Sequence, residues 1–316
     1  MMIRRRKLLF LSLFLVFATL IGIVIYQRVA RPARAMLLLP DGNLLLYVNF
    51  APAHFFDLGQ MPIQTDPQYQ EFVRQTGFHF EHDLNTIAVS QRNPGETNSE
   101  SSAVFTGVFN QDRIGHYLQK LASSSEEYGG RTIYSIPEGG HTVRACLLDS
   151  KTVAVTNMDS SDPMHLIVDR SRSVLLSGGA SSLVKDYYDN VPFASLAWAM
   201  VRVPAKSSSG QLPGGISAEF LANSVSVVSL RYTGSIRLKA EVISASTADA
   251  SNVLEAANTL RVLAKGAGES LSAGGTDKDV KAVFDNIQVQ QSGNRTVLSV
   301  AIPQAFVQKM AARMNH

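Results

Sequence analysis

Nineteen consecutive residues near the start, 8–26, carry no charge, and only Ser12 and Thr19 among them are notably polar. Leu8, Phe14, Ile21 and Tyr26 mark the length of this run. As a helix it would extend about 28 Å, close to the ~30 Å hydrocarbon core of a bilayer. Lipid offers no partners for unpaired backbone groups, so a helix is the expected form of a single span. Tyr26 falls where an aromatic ring is favoured, at the membrane–water interface.

After about residue 36 the pattern changes to short apolar runs broken by turn residues. Runs of strand length occur at 44–50, 86–90, 103–109, 132–136, 142–148 and 152–156, and again at 196–203, 224–232, 236–243, 287–291 and 296–302. Apolar residues at helical spacing predict helices over 68–76, 112–122 and 163–170, then over 218–222, 247–264 and 277–284. Gly77 is placed to end the first of these, and Ser246 or Thr247 to cap the longest. Phe306, Val307 and Met310 stripe a last helix begun by Pro303. Polar stretches at 92–102, 171–192 and 206–215 read as connections. The expected fold is α+β. Residues 1–35 form a basic tail, a transmembrane helix and a linker. Two related subdomains of mainly antiparallel sheet packed by helices follow, at 36–175 and 176–316. The related element order suggests a structural duplication without a residue-level repeat.

Charge sharpens this division. Residues 1–35 hold seven basic side chains (Arg4, Arg5, Arg6, Lys7, Arg28, Arg31, Arg34) and no acid, although the whole chain is only +3. The remaining 22 basic residues face 26 acidic ones, leaving −4. A mildly acidic domain lacks the basic footprint of a nucleic-acid binder. The basic cluster before the span favours a cytoplasmic N-terminus, and the three arginines after it weaken the asymmetry. Ala33-Arg34-Ala35 fits a signal-peptidase site, but the apolar run is longer than a cleaved signal usually has. A retained signal anchor is therefore expected, with the C-terminal part extracytoplasmic. Ala18 and Gly22, four apart in the span, would let two helices approach, which makes a homodimer one expectation.

Candidate chemistry is sparse. The densest titratable cluster is Gly77-Phe78-His79-Phe80-Glu81-His82-Asp83. His79, Glu81, His82 and Asp83 are the metal-ligand candidates, because imidazole and carboxylate are the groups a metal needs. No His-Glu-x-x-His or zinc-deaminase pattern accompanies them, and a polar helix-to-strand connection explains them as well. Ser182-Leu183-Val184-Lys185 matches Ser-x-x-Lys, without the companion motifs of penicillin-recognising enzymes. No nucleophile elbow, Walker A loop or dinucleotide fingerprint is present, so neither catalytic residues nor a cofactor are expected. Cys146 is the single cysteine and reads as a core residue; Trp198 reads likewise. Asn294-Arg295-Thr296 has the glycosylation pattern, at what reads as a hairpin tip.

Leu38-Leu39-Pro40 followed by Leu45-Leu46-Tyr47-Val48, the stretch Thr76 to Leu84, and Tyr128-Gly129-Gly130-Arg131-Thr132-Ile133-Tyr134 carry a resemblance. Over residues 36–172 the chain resembles uncharacterised bacterial proteins anchored by an N-terminal membrane helix, common in acidobacterial-type genomes and built on a domain of unknown function. The resemblance implies a single-pass protein of the bacterial inner membrane and supplies no functional residues. In those proteins the position of His79 is usually acidic and that of His82 merely polar, which counts against a metal.

The function expected from all this is an envelope ectodomain that binds or scaffolds another molecule. One alternative is an envelope hydrolase or metal-dependent enzyme around His54, His79, Glu81, His82 and Asp83. Another is a carrier of a lipid or other hydrophobic ligand, with strands such as 224–230 lining the pocket. The expected partners are the bilayer and an envelope protein or ligand.

Overall fold

The computed structural model describes residues 32–52, 66–94, 99–173, 180–204, 211–212, 216–273, 278–304 and 306. The chain divides into two compact units, Met1–Ala33 and Arg34–His316. The expected span at 8–26 lies outside the described residues, as do residues 307–316 of the expected last helix and the expected boundary at 175/176. Among the described residues no helix is long and apolar enough to cross a membrane.

The second unit is built on a twelve-stranded antiparallel sheet. Its first strands are β1 (Leu44–Asn49), β2 (Leu84–Arg92) and β3 (Glu100–Gly107). Four more follow as a meander: β4 (Ser124–Tyr128), β5 (Arg131–Glu138), β6 (His141–Asp149) and β7 (Thr152–Thr156). The later strands are β8 (Ala197–Val203), β11 (Ser224–Tyr232), β12 (Ser235–Ile243), β13 (Gln288–Ser292) and β14 (Arg295–Pro303). A separate two-stranded ribbon joins β9 (Gln211–Leu212) to β10 (Ile216–Ser217). The spatial order is β13-β14-β12-β11-β8-β1-β2-β3-β7-β6-β5-β4.

That order reads alike in both directions from the β1–β8 pair. In each half three antiparallel strands come first, a helix crosses over, and a meander returns its last strand to the third. In the first half β7 pairs with β3, and in the second β14 pairs with β12. The halves differ in having four returning strands against two. The α+β class is as expected. The expectation of a sheet in each half needs correcting, since one sheet runs through both. The reason lies in hydrogen bonding: β1 and β8 would each be an open edge, and pairing Leu44–Val48 with Ala197–Val201 satisfies both.

Helices cover both faces. On one face lie α1 (Arg34–Leu38), α5 (Asp162–Arg172) and α6 (Ser182–Tyr187). Met36, Leu38 and Leu39 are buried there with Met164, Ile167 and Leu183, against Leu45, Val104, Cys146 and Met200. The Arg170 guanidinium donates to the Leu39 carbonyl, and Arg34 donates to that of Ser171 at 3.0 Å, so α1 and α5 are tied polarly as well. On the other face lie α2 (Pro67–Thr76), α3 (Phe80–Asp83) and α4 (Gln111–Leu121). Over the second half of that face lie α7 (Thr247–Ala273) and α8 (Lys278–Asp285). Among the described side chains of α7, Ala250, Val253 and Ala257 are buried, three and four apart as one helical face requires.

Several elements depart from the pattern reading. β4, with the sequence Ser-Ser-Glu-Glu-Tyr, has no apolar alternation and forms as the outer strand against β5. α6 lies inside what reads as a connection, and α1 begins in what reads as a linker and runs past its end at 35. α7 continues to Ala273, past the end expected at 264. β2 and β3 reach into the expected loop at its two ends, to Arg92 and from Glu100.

Candidate functional site

The turn between α2 and β2 holds the candidate cluster. α2 opens with Asp66, whose carboxylate accepts from the N–H groups of Gln68 and Tyr69 at 2.7 and 3.2 Å. It closes at Gly77, whose φ of 70° is the left-handed cap that glycine adopts without strain. Arg113 of α4 donates to the carbonyls of Arg74 (2.6 Å) and Gln75 (3.1 Å), the last acceptors of α2. The chain then drops Phe78 into the core. Its ring stacks on Phe109 at 4.7 Å and meets Phe80 and Phe72 edge-on at 5.4 and 6.2 Å.

The four metal-ligand candidates fall around this aromatic anchor and are brought together as a capping turn. The Asp83 carboxylate accepts from the His79 N–H at 2.8 Å, and the His79 carbonyl accepts from the Asp83 N–H at 2.8 Å. Glu81 accepts from the Tyr69 hydroxyl, whose oxygen in turn accepts from the Phe80 N–H at 3.1 Å. Burial, and then the bond to Glu81, push the Tyr69 phenol up to about 12. At neutral pH it therefore keeps its proton and donates the hydrogen bond to Glu81. His79 Nδ1 lies 3.7 Å from Glu81, and the His79 and His82 rings are 6.4 Å apart. Among the described residues no group of three or more His, Cys, Asp and Glu side chains converges to hold a metal. His54 lies outside the described residues.

The other singled-out residues also have local roles. Ser182 heads α6, where its N–H donates to Asp41 at 2.8 Å and its hydroxyl accepts from Arg202 at 3.4 Å; Lys185 is exposed. Cys146 is fully buried, and burial pushes its thiol up to about 12. Trp198 is packed between Tyr47 and Tyr188, each ring 5.7 Å away. The Asn294 amide donates to the Ser244 carbonyl at 2.9 Å, which fixes the hairpin tip.

Two polar clusters escaped the sequence reading because their members are far apart in the chain. Glu241, 4% exposed, accepts from Lys239 (2.7 Å), Arg295 (3.1 Å) and Asn190 (3.1 Å). Burial alone would raise its carboxyl, but Lys239 and Arg295 outweigh that and hold it below the ordinary value. At the far edge Tyr128 donates to Asp169 (3.0 Å), His165 meets Glu126 (3.0 Å), and the Tyr128 and His165 rings stack at 3.8 Å.

The middle of the sheet offers a surface of another kind. Leu45, Trp198, Met200 and Val227 point to the closed face, so their neighbours point to the other. There Leu46 of β1, Ala199 of β8 and Val228 of β11 stand in adjacent register, half-buried or exposed, with Val228 41% exposed. They form an apolar strip between the helices that pack on either half of that face.

No family and no curated protein matches the chain. Solved structures of similar shape are crystal forms IV and III of TP0453, each 9% identical with a TM-score of 0.47. They cover 89% and 90% of this chain and 96% and 99% of theirs.

Proposed function

We propose that this chain is a single-pass membrane protein whose extracytoplasmic part binds or scaffolds another molecule of the cell envelope. The observation that carries the binding half of this reading is the apolar strip through Leu46, Ala199 and Val228. Exposed apolar area flanked by covered sheet is the usual character of a recognition surface. The anchoring half rests on the uncharged run at 8–26 and its basic flanks. A photoreactive amino acid at position 228, activated in native membranes, tests the binding half. A discrete protein adduct absent with the same probe at exposed Glu127 is expected, and identical labelling from both positions would defeat the reading. Anchoring predicts that the full chain stays with membranes through a carbonate wash and that a chain lacking residues 1–33 does not.

A second reading shares the strip: an apolar small molecule, such as a lipid, could cover it. Mass spectrometry of the purified chain separates the two. Stoichiometric lipid favours a carrier, and its absence together with a protein adduct favours a scaffold.

A further inference from the structure

An open sheet ends in two strands, and this one guards only one of them. β4 carries Glu126 and Glu127 on the outer edge and is held down by Tyr128–Asp169 and His165–Glu126. Charge on an edge deters another chain from pairing with it. The opposite edge, β13, reads Gln288-Val289-Gln290-Gln291-Ser292, with no charge and no proline. It joins β14 through the two-residue turn Gly293-Asn294, so Ser292 and Arg295 exchange both their main-chain hydrogen bonds. Alternation from that pair turns the N–H and C=O groups of Val289 and Gln291 outward. Among the described residues no backbone group bonds to them.

The helix above that edge is open on the same side. Gln291 donates to the Thr247 carbonyl at 3.3 Å and meets the Ser251 hydroxyl at 3.3 Å, which fixes the flank of α7 that looks toward β13. At helical spacing Leu254, Asn258 and Val262 continue the row from Ser251 and line a groove, with Val262 64% exposed. The sole charged lining residue is Glu255, among those described.

We propose that a second copy of this chain pairs antiparallel along β13, continuing the sheet across a two-fold axis at Gln290. In that register Val289 faces Gln291 of the second copy, and their outward groups exchange about four main-chain hydrogen bonds. Gln290 faces its own counterpart as a pair without hydrogen bonds. The helices then fit. α7 packs on both β13 and β14, so its axis lies about one strand spacing, ~4.8 Å, from the two-fold. Two copies of α7 would therefore run about 10 Å apart on one face, within the spacing at which helices pack. Each groove would be closed by the other helix. A five-residue edge alone falls short of the roughly 1,200 Å² that a stable interface buries, so this helix layer is part of the proposal.

The test uses the full chain in detergent micelles, with Gln290→Cys as the reporter. Directly opposed Cβ atoms about 4.5–5.5 Å apart can close a disulfide with slight movement, and native Cys146 is buried. Oxidation is expected to give a reducible dimer at least about tenfold faster than Ser125→Cys on β4, whose thiols meet only by collision. Adding Val289→Pro removes an outward N–H without removing a bond to β14, and is expected to abolish the crosslink. Leu254→Lys, which leaves β13 untouched, is expected to do the same. Equal crosslinking of Gln290→Cys and Ser125→Cys would overturn the proposal, and would mean that any dimer is held elsewhere. A crosslink that survives both added substitutions would overturn it too.

Discussion

Glu241 is the residue where sequence distance hides most. Nothing near it in the chain marks it as buried, yet β14 brings Arg295 and the turn after α6 brings Asn190. The Arg295 side chain is half exposed, so solvent weakens the pair and the net stabilisation stays modest. Glu241→Gln is expected to cost about 1–2 kcal/mol at neutral pH by urea titration. The folded-state carboxyl lies below its ordinary value. Its contribution is therefore complete above the ordinary carboxylate range and is lost as pH falls through the lowered value. The gap between wild type and variant should close as pH falls from the ordinary carboxylate range through that lowered value, and a gap independent of pH would refute the ionic origin. Gly107 makes a second prediction at this scale. A Cβ there would run into the main-chain carbonyl of Asp83, which already accepts from Val108 at 2.9 Å. Backbone cannot swing aside as a side chain can, so Gly107→Ala should lower stability by about 1–3 kcal/mol.

Elements with an apolar rhythm were legible in the sequence and those without one were not. α2, α4 and the hairpins β11–β12 and β13–β14 fall within a residue or two of their pattern, because one buried face imposes the period. β4 lacks that rhythm, since an outer strand at a sheet edge needs only a backbone partner. The candidate cluster shows the same division. Two histidines and two acids in one turn read as chemistry, while the phenylalanines between them decide the structure. Phe78, at 3% exposure, anchors the turn in an aromatic cluster shared by α2, α3 and α4. Phe78→Ala should cost about 3–5 kcal/mol, as for other buried aromatics. His79→Ala removes a side chain that is nearly half exposed and should change stability by no more than about 0.5 kcal/mol. A larger effect from His79 than from Phe78, or a loss that zinc restores, would support a metal role for the turn.

For the whole molecule the decisive contact is the β1–β8 pair, which no local pattern announces. Each half reads as a domain because each repeats the same order of strands and helices. What joins them is a ladder between residues some 150 positions apart, Leu46 with Ala199 and Tyr47 with Trp198. Hydropathy identifies both strands as core and is silent on their pairing, which is why two sheets were expected and one is found. The seam also carries the chain's single tryptophan. Trp198 is buried against Tyr47 of the first half and Tyr188 beside the second, so its emission reports the joint itself. Opening the joint would strip two central strands of their ladder and expose Leu45 and Met200 along with Trp198, so the halves should not come apart before they unfold. Urea should therefore quench the native Trp198 signal at the same midpoint at which amide protection is lost in both β6 and β12. A Trp198 transition that precedes the loss of protection in both strands would show two separable bodies. The shared sheet would then be a contact between domains and not their common core.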